Sequence, residues 1–288
     1  MKGQNVFAYE EAAHNNLNLI NSALLLKAMQ VTIRLKEAFK STGSILVCGL
    51  PGIAYVGKLS VDHLIRGLGA QLVGEVYSRF FSPYVLIGRD GVVELLRNEL
   101  YYWTDGAGRG VFFFTGNAQA TSPEGQYYIV DEVLETVVGF GVKRVYSLAA
   151  FLTRKQFEAP SVYGTATDLS LVEELKKYGV LPMEQGSISG MNGLIFGLTR
   201  LKELEGICLL GETNGYQTST GHYLVDAKAG RAVLQVLAEM LDITVDMKPL
   251  EAQAEQMDLL TMRLADFEKQ VREELRKVSD RDPSRYIT

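Results

Sequence analysis

The segment from Ser44 to Ser60, SILVCGLPGIAYVGKLS, constrains the fold more than any other part of the chain. Its first half is a short apolar run typical of a buried strand, and its second half has the spacing of an amphipathic helix. The glycines between the two halves allow a tight turn. A strand, a glycine turn and a helix in this order predict the opening unit of an α/β domain.

The same turn comes within one residue of a phosphate-binding loop. Gly52, Gly57 and Lys58 match the G-x-x-x-x-G-K-[ST] pattern, but Leu59 stands where the pattern requires Ser or Thr. The missing hydroxyl is the group that holds Mg²⁺ in such loops. Lys58 is therefore either an anion ligand at a helix N-terminus or a solvated helix residue, and the second interpretation is preferred.

Composition indicates a folded globular protein and narrows its partners. Apolar residues make up 47% of the 288 residues, charged residues make up 22%, and the formal net charge is -5. An acidic chain lacks the broad basic surface that nucleic acid requires, so we expect no nucleic-acid partner. No run of about 18 apolar residues occurs, so we expect no membrane span. The missing secretory pattern and two cysteines in apolar runs, Cys48 and Cys208, predict a cytoplasmic location.

Apolar runs and amphipathic stretches alternate along the chain. The pattern predicts strands at 31–34, 45–49, 71–77, 84–87, 92–96, 111–115, 144–149 and 207–210, and helices at 54–67, 123–140, 168–177 and 226–241. Such alternation predicts an α/β fold of three layers, α/β/α, around a mixed, mostly parallel sheet. Gly88-Arg89-Asp90-Gly91 reads as a hairpin turn, and we expect that hairpin to supply the antiparallel part of the sheet.

Few side chains are arranged for catalysis or metal binding. The three histidines are scattered, and no H-x-x-x-H or C-x-x-C spacing occurs. Glu212 and Thr213 follow a predicted parallel strand, where ligands bind in open α/β sheets, but no second acid or histidine accompanies them. We predict no catalytic residue, no metal site and no cofactor. The candidate ligand crevice consists of Gly52, Gly57, Lys58, Glu212 and Thr213.

From Lys248 onward, apolar residues recur at steps of three and four, close to a heptad pattern. The pattern predicts an amphipathic helix over 248–280, followed by a flexible tail over 281–288 that begins near Pro283. We expect the apolar stripe to serve oligomerisation, with packing onto the chain's own α/β body as the alternative. The residues assigned to oligomerisation are Met257, Leu260, Leu264, Phe267 and Val271.

Five segments together resemble the archaeal branch of the proteasome assembly chaperone 2 (PAC2) family. They are GLPGIAYVGK at 49–58, NELYYW at 98–103, TGNAQATSPEGQY at 115–127, VYGTATD at 162–168 and LLGETNGY at 209–216. The resemblance extends from about Met29 to Leu250, which leaves 1–28 as an N-terminal extension and 29–247 as the α/β domain. It implies a three-layer fold similar to that of purine nucleoside phosphorylases, and homo-oligomers that help to assemble the proteasome α-ring. It does not imply catalysis.

The resemblance also draws attention to the end of the chain. Chaperoning members of the family can dock through a C-terminal tripeptide of hydrophobic residue, Tyr and any residue, whereas this chain ends in Tyr286-Ile287-Thr288, with the tyrosine one place early. These three residues are the predicted contacts to a partner, the proteasome α-subunits. The alternative function is a nucleotide-binding or small-molecule-binding enzyme that uses the turn from Gly52 to Lys58 together with Glu212.

Overall fold

A computed structural model describes residues 30–36, 43–153, 157, 159–215, 217 and 224–279, and within the last helix several side chains after residue 260 lie outside the description. In these residues a single large sheet dominates the fold. Its strands, in spatial order, are β1 (Val31–Leu35), β3 (Gln71–Ser78), β6 (Asn98–Thr104), β7 (Gly110–Gly116), β2 (Ile45–Cys48), β8 (Arg144–Leu152), β11 (Glu205–Thr213), β9 (Val162–Ala166) and β10 (Leu181–Pro182).

The centre of this sheet is parallel and its flanks are mixed. Strands β7, β2, β8 and β11 run parallel to one another, while β1, β3, β6 and β7 pair antiparallel. On the other side, β9 is antiparallel to β11 and parallel to β10. The predicted mixed sheet is confirmed, and its parallel strands lie at the centre, where both faces are covered.

Helices cover the sheet on two sides. The helices are α1 (Val56–Leu68), α2 (Pro123–Gly139), α3 (Leu169–Lys176), α4 (Gly190–Leu198), α5 (Ala227–Leu241) and α6 (Lys248–Ser279), with 3₁₀ turns at Ile53–Tyr55 and Thr199–Lys202. Successive residues of the central strands point to opposite faces, so Val47 packs beneath α1 and α5 whereas Leu46 packs beneath α2 and α4. Two buried cores on opposite faces confirm the three-layer α/β/α architecture.

One sequence expectation about the sheet was wrong. The hairpin around Asp90 does form, as β4 (Val85–Ile87) and β5 (Val93–Leu95), but it is a separate two-stranded sheet and contributes nothing to the large one. The mixed character arises instead from β1, β6, β9 and β10, which run against the other strands. The periodicity assigned no strand to β6, β9 or β10. A period of two shows that a stretch can pair, but it does not choose the pairing partner.

Among the described residues, the last helix contacts the body through its first turns. Leu250 is fully buried and Ala254 nearly so, and ion pairs join Arg231 to Glu251 at 2.9 Å and Lys228 to Asp258 at 2.7 Å. These contacts bind the start of α6 to α5. Across the described residues, the helices are too short or too polar to act as a membrane span.

Candidate functional site

A crevice opens at the carboxyl ends of β2, β8 and β11, the edge where open α/β sheets bind ligands. It encloses about 390 Å³ between the turn after β2, the end of β8 and the loop that precedes α4. Its lining, among the residues that the structure describes, contains no Asp, Glu, Lys, Arg or His. An uncharged lining offers no counter-charge to a phosphate group.

Two glycines bring the turn and the first helix directly onto the sheet. A Cβ atom at Gly57 would lie 2.0 Å from the carbonyl oxygen of Leu148, and one at Gly49 would lie 2.2 Å from that of Gly57. Both distances are far below van der Waals contact, so each position excludes any side chain. Gly49 and Gly57 therefore allow α1 to pack closely on the turn and on β8.

The turn itself holds two non-glycine residues in the left-handed region. Ala54 has φ 49° and Tyr55 has φ 54°, whereas Gly52 is extended at φ −159°. Left-handed non-glycine residues cost of order 1–3 kcal/mol each and persist only where the surroundings hold them. Here the backbone N–H of Asp226 donates to the Ala54 carbonyl at 2.9 Å, which ties the turn to the start of α5.

A buried asparagine fixes the other side of the turn. Asn192 accepts a hydrogen bond from the Leu50 N–H at 2.9 Å and donates one to the Leu50 carbonyl at 3.0 Å, in the manner of a neighbouring strand. The backbone carbonyl of Asn192 also accepts a hydrogen bond from the Ser147 hydroxyl. Because the side chain is almost completely buried, these bonds satisfy a group that would otherwise be costly.

Gln119 forms a second amide clamp on the same turn. Its Nε2 donates to the Pro51 carbonyl, and its Oε1 accepts from the Met191 N–H at 2.6 Å. Sequence analysis missed both clamps. The available signal was a lone Asn in the apolar run MNGLIFGL at 191–198, because a polar side chain buried in such a run requires hydrogen-bond partners.

The structure places the predicted crevice residues in two groups. Gly52 and Gly57 line the crevice. Lys58 forms an ion pair with Asp62 at 2.8 Å, and that carboxylate also accepts from the Thr115 hydroxyl at 2.9 Å. These contacts place Lys58 in a local charge pair along α1.

The two residues predicted at the end of β11 also bond to the protein. The carboxylate of Glu212 accepts from the Ser161 N–H at 3.1 Å, and the residue is buried. The hydroxyl of Thr213 donates to Asp226 at 2.6 Å, and the same Asp226 side chain caps α5 through the Ala229 N–H. Neither residue is part of the described crevice lining.

Thiol and metal chemistry also lack support in the described residues. Cys48 and Cys208 are free and buried, and burial raises the pKa of the Cys208 thiol to about 12 and that of Cys48 further still. Both are neutral thiols at neutral pH, and a neutral thiol is a poor nucleophile. In the described residues, no group of three or more His, Cys, Asp or Glu is placed to hold a metal ion.

Beyond its first turns, α6 presents apolar side chains to solvent. Met257 is half-buried, and the exposed fractions of the next described apolar residues lie between 41% and 64%: Leu259, Leu260, Phe267 and Val271. The side chain of Leu264 lies outside the described residues, as do residues 1–28 and the tail residues Tyr286, Ile287 and Thr288. The described residues thus combine a crevice without charged side chains and an apolar stripe that they do not cover themselves.

Together these features define a three-layer α/β/α protein whose described residues show no assembled catalytic group. The chain belongs to the PAC2 family, because the family model matches residues 46–265. It is also 32% identical over 262 residues to the uncharacterised protein MJ1210 of Methanocaldococcus jannaschii, which covers 89% of this chain and 97% of that protein.

Two solved structures from Pyrococcus furiosus are similar along nearly their whole length. PbaB, described as an archaeal proteasome activator, is 32% identical with a TM-score of 0.75, covering 82% of this chain and 99% of PbaB. PbaA, described as an archaeal homolog of proteasome-assembly chaperone, is 25% identical with a TM-score of 0.65, covering 84% of this chain and 99% of PbaA. The family identified from the motifs is confirmed.

Proposed function

We propose that this protein is a non-catalytic, homo-oligomeric interaction protein that binds proteasome α-subunits and assists assembly of the α-ring. The observation that carries the proposal is the similarity to PbaB, a proteasome activator by its description, over 99% of that chain. The described lining of the crevice, which carries no charged side chain, agrees with a role in binding rather than chemistry. Such a role implies a cytoplasmic location.

The exposed stripe of α6 is the larger of two contact elements in this proposal. Leu260 and Phe267 are more than half exposed, and the residues between them include polar ones. An amphipathic helix keeps one face apolar when that face is covered by something else. We assign this stripe, with Met257, Leu264 and Val271, to oligomerisation.

The C-terminal tail is the second contact element. Tyr286 and Ile287 provide apolar anchors, and Thr288 follows them. Short tails gain affinity when an oligomer presents several of them, because each further engagement is intramolecular. The tail is therefore expected to depend on the oligomer for its strength.

A co-purification experiment tests this function. Wild type, a chain ending at Pro283 and Tyr286→Ala are compared for capture of proteasome α-subunits, with Ser284→Ala as the matched tail control. We expect the truncation to abolish capture and Tyr286→Ala to remove most of it, while mass and thermal midpoint stay unchanged. Equal capture by the truncated chain would eliminate the tail, and no capture by wild type would contradict the proteasome role.

The alternative of a nucleotide-using enzyme receives no support from the contacts of its candidate residues. Lys58 is paired with Asp62, Glu212 bonds to Ser161, and Leu59 replaces the Mg²⁺-binding hydroxyl. Calorimetry with Mg-ATP should show no binding tighter than about 1 mM, or roughly 4 kcal/mol. Micromolar binding that Lys58→Ala abolishes would reverse this ranking.

A further inference from the structure

The hairpin β4–β5 stands out because the described part of the chain leaves it uncovered. All six of its strand residues are exposed. A two-stranded hairpin is marginally stable in water unless one face packs against something. The hairpin therefore needs a partner surface.

Its two faces differ sharply in chemistry. Val85 pairs with Leu95 and Ile87 pairs with Val93, so the alternation of side chains places these four on one face. Their exposed fractions range from 46% to 72%. The opposite face carries the third pair, Leu86 and Glu94, so only one of the two faces is entirely apolar.

The hairpin is held in a defined position despite its exposure. At its root Arg97 forms ion pairs with Glu94 at 2.9 Å and with Glu75 of β3 at 3.3 Å. At its tip the N–H of Val92 donates to Asp90 Oδ1 at 3.1 Å. A groove of about 650 Å³ lies between the hairpin and the β1–β3 edge of the large sheet, and Val85 and Leu95 form part of its wall.

The two ends of the hairpin carry opposite charges without ion-pair partners. Asp90 lies at the tip, and Arg79 lines the groove at the root. In the part of the chain that the structure describes, neither residue forms an ion pair. A surface with an acid at one end, a base at the other and an apolar face between them is complementary to itself when rotated by 180°.

We propose that this hairpin binds the same hairpin of a second copy of the chain, apolar face to apolar face around a two-fold axis. In this arrangement the tip of each hairpin enters the groove of the other copy, which brings Asp90 toward Arg79 of the second copy. The inference rests on the homo-oligomeric part of the proposed function and adds a second self-association surface to the stripe of α6. A stable interface needs about 800 Å² from each partner, so the groove walls contribute together with the hairpin.

The first test places a charge on the apolar face. Ile87→Glu should weaken self-association at least about tenfold by dilution light scattering, because burying an unpaired carboxylate is costly. The matched control is Leu201→Glu, at a residue 81% exposed and outside the hairpin, which should keep the wild-type mass. Circular dichroism should show both variants folded. Wild-type mass for Ile87→Glu at every concentration would overturn the proposal.

The second test examines the predicted pairing of tip and root. Arg79→Glu should weaken self-association up to about fivefold at low salt, as expected for an exposed charge pair. Adding Asp90→Asn should restore most of it, because the amide oxygen can still accept from the Val92 N–H while the repulsion disappears. An equal loss of self-association in Arg79→Glu and in the double variant would show that Arg79 and Asp90 of the two copies do not meet.

Further measurements identify any other occupant of the hairpin. A chain starting at Met29 should self-associate like wild type, and a loss there would assign the groove to the N-terminal extension and overturn the proposal.

Ile87→Glu should retain α-subunit capture through its tail, although more weakly. Lost capture at unchanged mass would mean that the hairpin contacts the α-subunit instead. A wild-type protein that is monomeric at every concentration would refute both this inference and the proposed homo-oligomer. Capture of α-subunits through the tail is measured independently, by co-purification.

Discussion

The turn around Gly52 and the hairpin around Asp90 are both glycine-containing turns, yet they are used in opposite ways. At the first turn Asn192 and Gln119 bond to the backbone of residues 50 and 51, and the described lining of the crevice beside it carries no charged side chain. At the second, Ile87 and Val93 remain largely exposed. Hydrogen bonds therefore hold the first turn in place, whereas the hairpin leaves an apolar face exposed, which is the face that the proposed self-association uses.

The packing at the first turn also distinguishes the 49–58 motif from a nucleotide-binding loop. Gly49 and Gly57 are required because a Cβ atom at either position would lie within 2.2 Å of a backbone oxygen. In phosphate loops, glycines let the backbone approach a ligand. The same residue type at the same spacing therefore serves packing here.

The largest effect should come from filling the closest contact in the packed region. Gly57→Ala places a Cβ atom 2.0 Å from the Leu148 carbonyl, so we expect a loss of at least about 3 kcal/mol or failure to fold. The matched control is Gly197→Ala in α4, where nothing lies within 4 Å and a gain of about 0.5–1 kcal/mol is expected. Urea denaturation measures both. Similar stabilities for the two variants would contradict the packing role of Gly57.

A pair of substitutions along α6 should locate where its packing ends. Leu250→Ala, at a fully buried position, should cost about 2–5 kcal/mol of unfolding free energy. Leu260→Ala, at a position more than half exposed, should cost less than about 0.5 kcal/mol while reducing self-association. Equal losses of stability in a monomeric preparation would show that the stripe packs on its own body.

The amide clamp should have an intermediate effect. Asn192→Leu leaves the N–H and carbonyl of Leu50 without these partners, so we expect a loss of about 2–4 kcal/mol in thermal or urea unfolding. Gln185→Leu, in the same crevice lining, is the control and should change stability by less than about 0.5 kcal/mol. A stable Asn192→Leu variant would mean that water replaces the amide at this turn.

The smallest effect should come from removing residues 1–28. A chain that starts at Met29 should keep its oligomeric state and lose less than about 2 kcal/mol, because the family segments begin after this point. At this chain length that limit corresponds to a fall of roughly 8 °C in the thermal midpoint. A larger fall, measured by scanning calorimetry, would show that the extension stabilises the body.

Much of the fold was predictable because the spacing of apolar residues along the chain indicates which segments form strands and which form helices. The helix predicted at 54–67 is Val56–Leu68, and the one predicted at 226–241 is Ala227–Leu241 with Asp226 as its cap. The site was less predictable. Lys58 matched a loop pattern, whereas the structure pairs it with Asp62, four residues later in the same helix. The bond from Leu50 to Asn192 joins residues 142 apart, and no local pattern encodes it.

The sequence by itself determined the alternation of strands and helices, the absence of a complete phosphate loop and the family, because each of these is a property of residue type and spacing along the chain. Only the tertiary structure decided that the Asp90 hairpin stands apart from the sheet and exposes its apolar face. The physical reason is that periodicity tells which side chains share a face, whereas the neighbour that covers the face is chosen by packing between distant segments.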